Sequence, residues 1–141
     1  MADLLYNSFK RDIQNGSIDL DTDTINIMLV TSVYTQDIDA HTKRSDITNE
    51  VVGTGYSAGG QALAGKVVSA DNANDLGKFD SDDASWTGAT ITARGAVLYK
   101  ARGGAASADE LIGYLDFVSD QAVTSGTFNV VFNASGLVNL S

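Results

Sequence analysis

The sequence predicts an all-β fold, a β-sandwich or jelly-roll-like domain preceded by one short N-terminal α-helix. Three observations predict it. Helical apolar periodicity occurs once, over Leu4, Leu5, Phe9 and Ile13. After Gly16 the chain reads as short runs of β-branched and apolar residues. Those runs are separated by Gly, Ser, Thr, Asn and Asp, and with 14 Gly and no Pro the turns must rest on glycine and Asx chemistry.

The helix is expected over about residues 3–14, with Asp3 as its cap, Lys10 and Arg11 toward the negative end of its dipole, and Asn15-Gly16 as its stop. Its apolar stripe either packs on the domain's own sheet or forms a terminal arm that docks on a neighbouring subunit. The β domain then runs from about residue 17 to 141. Thr24 to Ser32 is apolar on both faces, as a buried strand is. Gln61 to Ala70 alternates loosely. Ala89 to Ala101 is the longest strand candidate, with Ile91, Ala93, Val97 and Tyr99 opposing Thr90, Thr92, Arg94 and Lys100. Leu111 to Val118 follows, and Thr127 to Asn133 and Gly136 to Leu140 come after the expected turns Ser125-Gly126 and Ser135-Gly136.

A chain of 141 residues with 43% hydrophobic content is the size of one domain, 1–141, and can build a core without staples. It contains no Cys, so disulfides, thiolate metal sites and cysteine nucleophiles are excluded. No apolar run approaches the roughly 18 residues of a membrane span, so no membrane partner is expected. An acid at Asp3, where a secretory signal carries bases, argues against such a signal. The net charge of −9 repels phosphate backbones, and nucleic-acid binding is not expected. Thirteen of the 18 acids lie between Asp12 and Asp83 against four bases, so the charge is uneven along the chain.

Catalytic equipment is scarce. The one histidine, His41, lies in a polar stretch and reads as a surface loop residue, with no Gly-x-Ser-x-Gly elbow to accompany it. Gly53-Thr54-Gly55-Tyr56-Ser57-Ala58-Gly59-Gly60 has the wrong spacing for a dinucleotide fingerprint and no P-loop lysine, so it reads as a loop or bulged edge. No cofactor and no enzymatic activity are expected. Asp19, Asp21 and Asp23 alternate and are the weak candidates for a calcium site, although Val30 stands where an EF-hand needs its last acid. Trp86 reads as core filling. Arg94 interrupts an apolar strand and is expected to be paired within the domain or across a subunit boundary. The candidate interface residues are Leu4, Leu5, Phe9 and Arg94.

A set of phrases in fixed order resembles a family of small tailed-bacteriophage virion structural proteins. These phrases are Leu5-Tyr6-Asn7-Ser8-Phe9, Ile27 to Ser32 with Tyr34-Thr35, and Gly53-Thr54-Gly55-Tyr56. Downstream come Trp86 to Arg94, Leu111 to Phe117, and Phe132-Asn133-Ala134-Ser135-Gly136. The resemblance spans nearly the whole chain. It implies a capsid decoration or cement protein on the outside of the head, often trimeric, that binds the major capsid protein and clamps neighbouring capsomers. It carries no catalytic residue over. The alternative role is a tail, baseplate or fibre-associated component, and a free-standing calcium- or carbohydrate-binding module stands behind both.

Overall fold

The computed structural model describes residues 3–141. The protein is mostly β, with two antiparallel sheets of five and three strands and one short N-terminal helix, an arrangement consistent with a β-sandwich. In chain order the elements are β1 (Leu4–Leu5), α1 (Asn7–Gln14), β2 (Ile25–Val30), β3 (Gln61–Ala62) and β4 (Val67–Asp71). They continue with β5 (Leu76–Asp80), β6 (Ala84–Lys100), β7 (Leu111–Val130) and β8 (Val138–Leu140). The larger sheet runs β1-β7-β6-β2-β3 and the smaller β4-β5-β8.

The helix is shorter than the sequence predicts, because Leu4 and Leu5 are extended. They pair with Tyr114 and Gly113 of β7, and these ladder bonds outweigh another helical turn. Asp3 therefore caps nothing in α1. Its carboxylate accepts the Asp116 N–H at 2.6 Å, and the helix starts at Tyr6 without a side-chain cap. The predicted stop holds: Asn15 is the C-cap and Gly16 takes φ +79°.

The principal core lies between the two sheets. Phe9, Ile25, Ile27, Leu29, Phe79, Trp86, Leu98, Ile112, Phe128 and Leu137 meet there. A second cluster covers the other face of the large sheet, where Met28, Val30, Val97, Tyr99, Leu111 and Tyr114 pack with Tyr6 and Tyr34. Burial on both faces explains the continuous apolar character of β2.

Three strand predictions change. Gln61 to Ala70 divides into β3 and β4, which belong to different sheets. Leu111 to Val118 and Thr127 to Asn133 join into the single strand β7, because Ser125-Gly126 bulges inside the ladder with Gly126 still opposite Ala89. Leu76–Asp80, unpredicted, forms β5. Bulges along the β6–β7 hairpin and a positive φ at Val118 curl it until the Phe117 and Phe128 rings stand 6.2 Å apart.

Candidate functional site

The four residues expected at an interface are engaged within the chain. Phe9 is fully buried in the core between the sheets, where the stripe of α1 packs on the domain's own sheets. Leu4 and Leu5 are half-buried and hold β1 to β7. Arg94 donates its Nε–H to Asp116 at 3.1 Å across the β6–β7 hairpin, an ion pair within the domain.

The acidic triplet does not converge. Asp19 accepts the N–H groups of Asp21 and Thr22, closing a turn, while Asp23 accepts the Asp19 N–H and pairs with Lys100 Nζ at 2.8 Å. Among the described residues no three His, Cys, Asp or Glu side chains are placed to hold a metal ion.

The glycine-rich segment has a packing role. Thr54 bridges to Thr90, and Gly53 lies so near β6 that a Cβ there would stand 2.5 Å from the Thr90 carbonyl oxygen. Tyr56 then reaches the core, its ring 5.8 Å from Trp86, and its hydroxyl donates to Glu50 at 2.7 Å while accepting the Leu29 N–H at 2.9 Å. Burial and the bond to Glu50 raise the Tyr56 phenol pKa above its ordinary value.

His41 is not the free surface residue its polar surroundings suggest. Its ring stacks on Tyr34, and its Nδ1 accepts the Asp37 N–H at 3.2 Å. With Nδ1 an acceptor, the Tyr34 hydroxyl at 3.0 Å is the donor to it, and the Tyr6 hydroxyl, 2.7 Å away, donates to Tyr34. Burial pushes the Tyr34 phenol up to about 12. This chain joins the Tyr6 segment to the Thr31-to-Glu50 loop, and the Tyr34 ring, 5.8 Å from that of Tyr114, adds β7 to one polar-aromatic cluster.

Beside it lies an ionic cluster that the sequence reading misses. Asp109 and Glu110 are buried where the chain enters β7. Arg44 Nε donates to Asp109 at 2.8 Å, and its guanidinium lies 5.2 Å from the centre of the Tyr99 ring. Arg102 grips both Glu110 oxygens at 2.6 Å, and its backbone N–H bonds Asp109 at 2.9 Å. Tyr99 donates to the Gly59 carbonyl and accepts from Asn26. Arg44, Asn26, Tyr99, Asp109 and the glycine pairs Gly59-Gly60 and Gly103-Gly104 line a polar recess of about 220 Å³. The arrangement clamps the long loop onto the sheet.

The clamp has a pH signature. The Arg102 hydrogen bonds hold the Glu110 carboxyl below the ordinary carboxylate range against the effect of burial. Asp46 is lowered by the Thr42 and Lys43 N–H groups, and Asp116 by the Val118 N–H. In each case the folded protein binds fewer protons than the unfolded chain. Their stabilisation is therefore complete above the unfolded carboxylate range of about 4 and is lost as pH falls through the depressed folded values. The thermal midpoint is expected to hold between neutrality and pH 5 and to drop by several degrees toward pH 3. The Glu110→Gln variant should show a flatter acid limb, and an acid limb identical to the parent's would remove Glu110 from the account.

The outer surface carries Val33, Val52, Val67, Val68, Val118 and Val131 as exposed apolar residues. No helix among the described residues is long and apolar enough to cross a membrane. Comparison of the chain with protein-family models, curated proteins and solved structures finds no match.

Proposed function

We propose that the chain is a non-enzymatic structural subunit of a tailed-bacteriophage particle, binding the major capsid protein and stabilising the outside of the head. The observation that carries this reading is where the phrases resembling virion proteins fall. They pack on one another. Leu5 stands opposite Gly113, Thr54 opposite Thr90, and Arg94 bonds Asp116. Tyr56 packs on Trp86, and Tyr6 bonds Tyr34. A pattern committed to the scaffold in this way suits a protein that works through its shape and outer surface.

The physics of such a role is modest contact multiplied by symmetry. A stable protein contact buries on the order of 1,000 Å² or more, and many copies on a fixed lattice act together even when each is weak. The net charge of −9 keeps free copies apart until a specific contact forms.

Antibody-gold labelling of particles assembled with this chain tests the proposal. Label distributed over the head exterior is the expected result. Label confined to the tail would replace it with the tail or baseplate role, and particles without label would defeat both.

A further inference from the structure

We propose that the free edge of β4, together with the apolar groove beside it, takes up an extended segment of a protein partner as an added strand, the segment alternating apolar and basic residues. It rests on the assembly reading only in choosing a protein as the occupant.

β4 is the outermost strand of the small sheet, and Val67 to Ala70 are all exposed, Val67 by 55% and Val68 by 50%. Edge strands are ordinarily guarded by proline, a bulge or a projecting charge. β4 has none of these over Val67 to Ala70, its register with β5 is unbroken, and Lys66 turns its Nζ back to the Asp23 carbonyl. The ladder phase fixes which groups are open. The Phe79 carbonyl accepts the Leu137 N–H on the β8 side, so Lys78 faces β4 and pairs with Ser69. By the alternation of an antiparallel ladder, Val68 and Ala70 direct their N–H and C=O outward.

The inward face supplies side-chain specificity. Val68 shares a register row with buried Phe79 and Val138, and Ala70 shares the next with Gly77 and Leu140. Gly77 adds no side chain, so this second row stays open. Val68 and Leu140 face Ile13, Ile18 and Leu20 across a groove of about 590 Å³.

Charge selects the occupant. Asp19 and Asp21 stand on the groove wall, Asp71 and Asp75 lie at the tip of the β4–β5 hairpin, and Asp80 and Asp82 line the depression on the opposite face of β4, where the one base, Lys78, donates to the Ala134 carbonyl. A second copy would bring the same acids to the same edge. A foreign segment with apolar residues for the groove and lysine or arginine for its rim satisfies both features, in the manner of β-strand addition.

The probe is an acetylated alternating Lys-Val octapeptide, with the Glu-Val octapeptide as its counterpart, titrated into the full chain while amide hydrogen exchange is followed. The Lys-Val peptide is expected to bind and to slow exchange at Val68 and Ala70 at least tenfold, and the Glu-Val peptide is not. Ala70→Pro deletes one outward donor at an edge position where proline is tolerated. It should reduce binding at least tenfold, and Val68→Lys, which restores a guard, should do the same. The inference is overturned by equal binding of both peptides, by binding that both variants leave unchanged, or by edge protection that grows with protein concentration alone. Particle labelling that survives in Ala70→Pro overturns the edge as the contact and leaves the assembly reading standing. Peptide binding at the edge with no particle labelling does the reverse.

Discussion

Replacing Gly60 by alanine is expected to cost about 3–5 kcal/mol and to lower the thermal midpoint by roughly 10–15 °C, if the protein accumulates folded at all. Gly60 has φ +74°, and a Cβ there would penetrate the Ile27 carbonyl and stand 2.8 Å from Met28 Cα. Both obstacles are backbone atoms of β2, a strand hydrogen-bonded on both sides, so neither side-chain rotation nor local relaxation relieves them. Moving the loop instead breaks the Tyr99 bond to the Gly59 carbonyl and the Glu50 bond to the Gly59 N–H. Gly16→Ala is the control. Its φ of +79° carries the same conformational penalty, but nothing lies within 4 Å of the added methyl, so the loss should stay at about 1–2 kcal/mol. Equal urea midpoints for the two variants would show that the close approach at Ile27 is relieved more easily than the geometry implies.

The contrast between those two glycines also marks what sequence could and could not disclose. Gly16 is legible because a helix stop is a local event, signalled by Asn15 and by the end of the apolar spacing. Gly60 is not, because its constraint comes from a strand more than thirty positions away in the chain. The same division runs through the fold. β2 and β6 are readable since their apolar patterns record burial. The β4–β5 hairpin is only half legible: β4 lies in the loosely alternating Gln61 to Ala70 run but is exposed on both faces, so no burial pattern marks its bounds, and β5 gives no signal. Leu4 and Leu5 satisfy a helical spacing and a strand pairing equally well, and only β7, far along the chain, decides between them. Ser125-Gly126 has turn chemistry, yet Ser125 takes φ 48° inside a continuing ladder, so the residue types signal the local conformation but not its context. The surface candidates fared similarly. Arg94 announced itself as a cation in an apolar strand and is paired, whereas Phe9 gave no sign of whether its stripe served its own core or a neighbour.

Arg44 is the least legible of the important residues, 65 positions from its partner, and its removal is the second large effect expected. The Arg44 side chain is 23% exposed and that of Asp109 only 3%, so Arg44→Met strands a buried carboxylate with the Arg102 N–H as its remaining donor. Breaking a buried pair from one side typically costs about 3–5 kcal/mol, far more than the pair itself contributes, because the surviving charge has lost its compensation. The stacking of the guanidinium on Tyr99 is lost as well. Arg44→Met/Asp109→Asn removes the stranded charge while the amide oxygen still accepts the Arg102 N–H, so the double variant should recover to within about 1–2 kcal/mol of the parent. A coupling energy of a few kcal/mol from urea midpoints is therefore the diagnostic quantity. Strictly additive losses would mean that Arg44 acts through its packing on Tyr99, and that the loop is held by its aromatic contacts instead of by its charges. Amide exchange supplies an independent reading. The Arg44 N–H is bonded to the Asp109 carbonyl at 2.8 Å, so release of the clamp should speed its exchange in Arg44→Met while the β2–β6 ladder amides keep to the rate set by global unfolding.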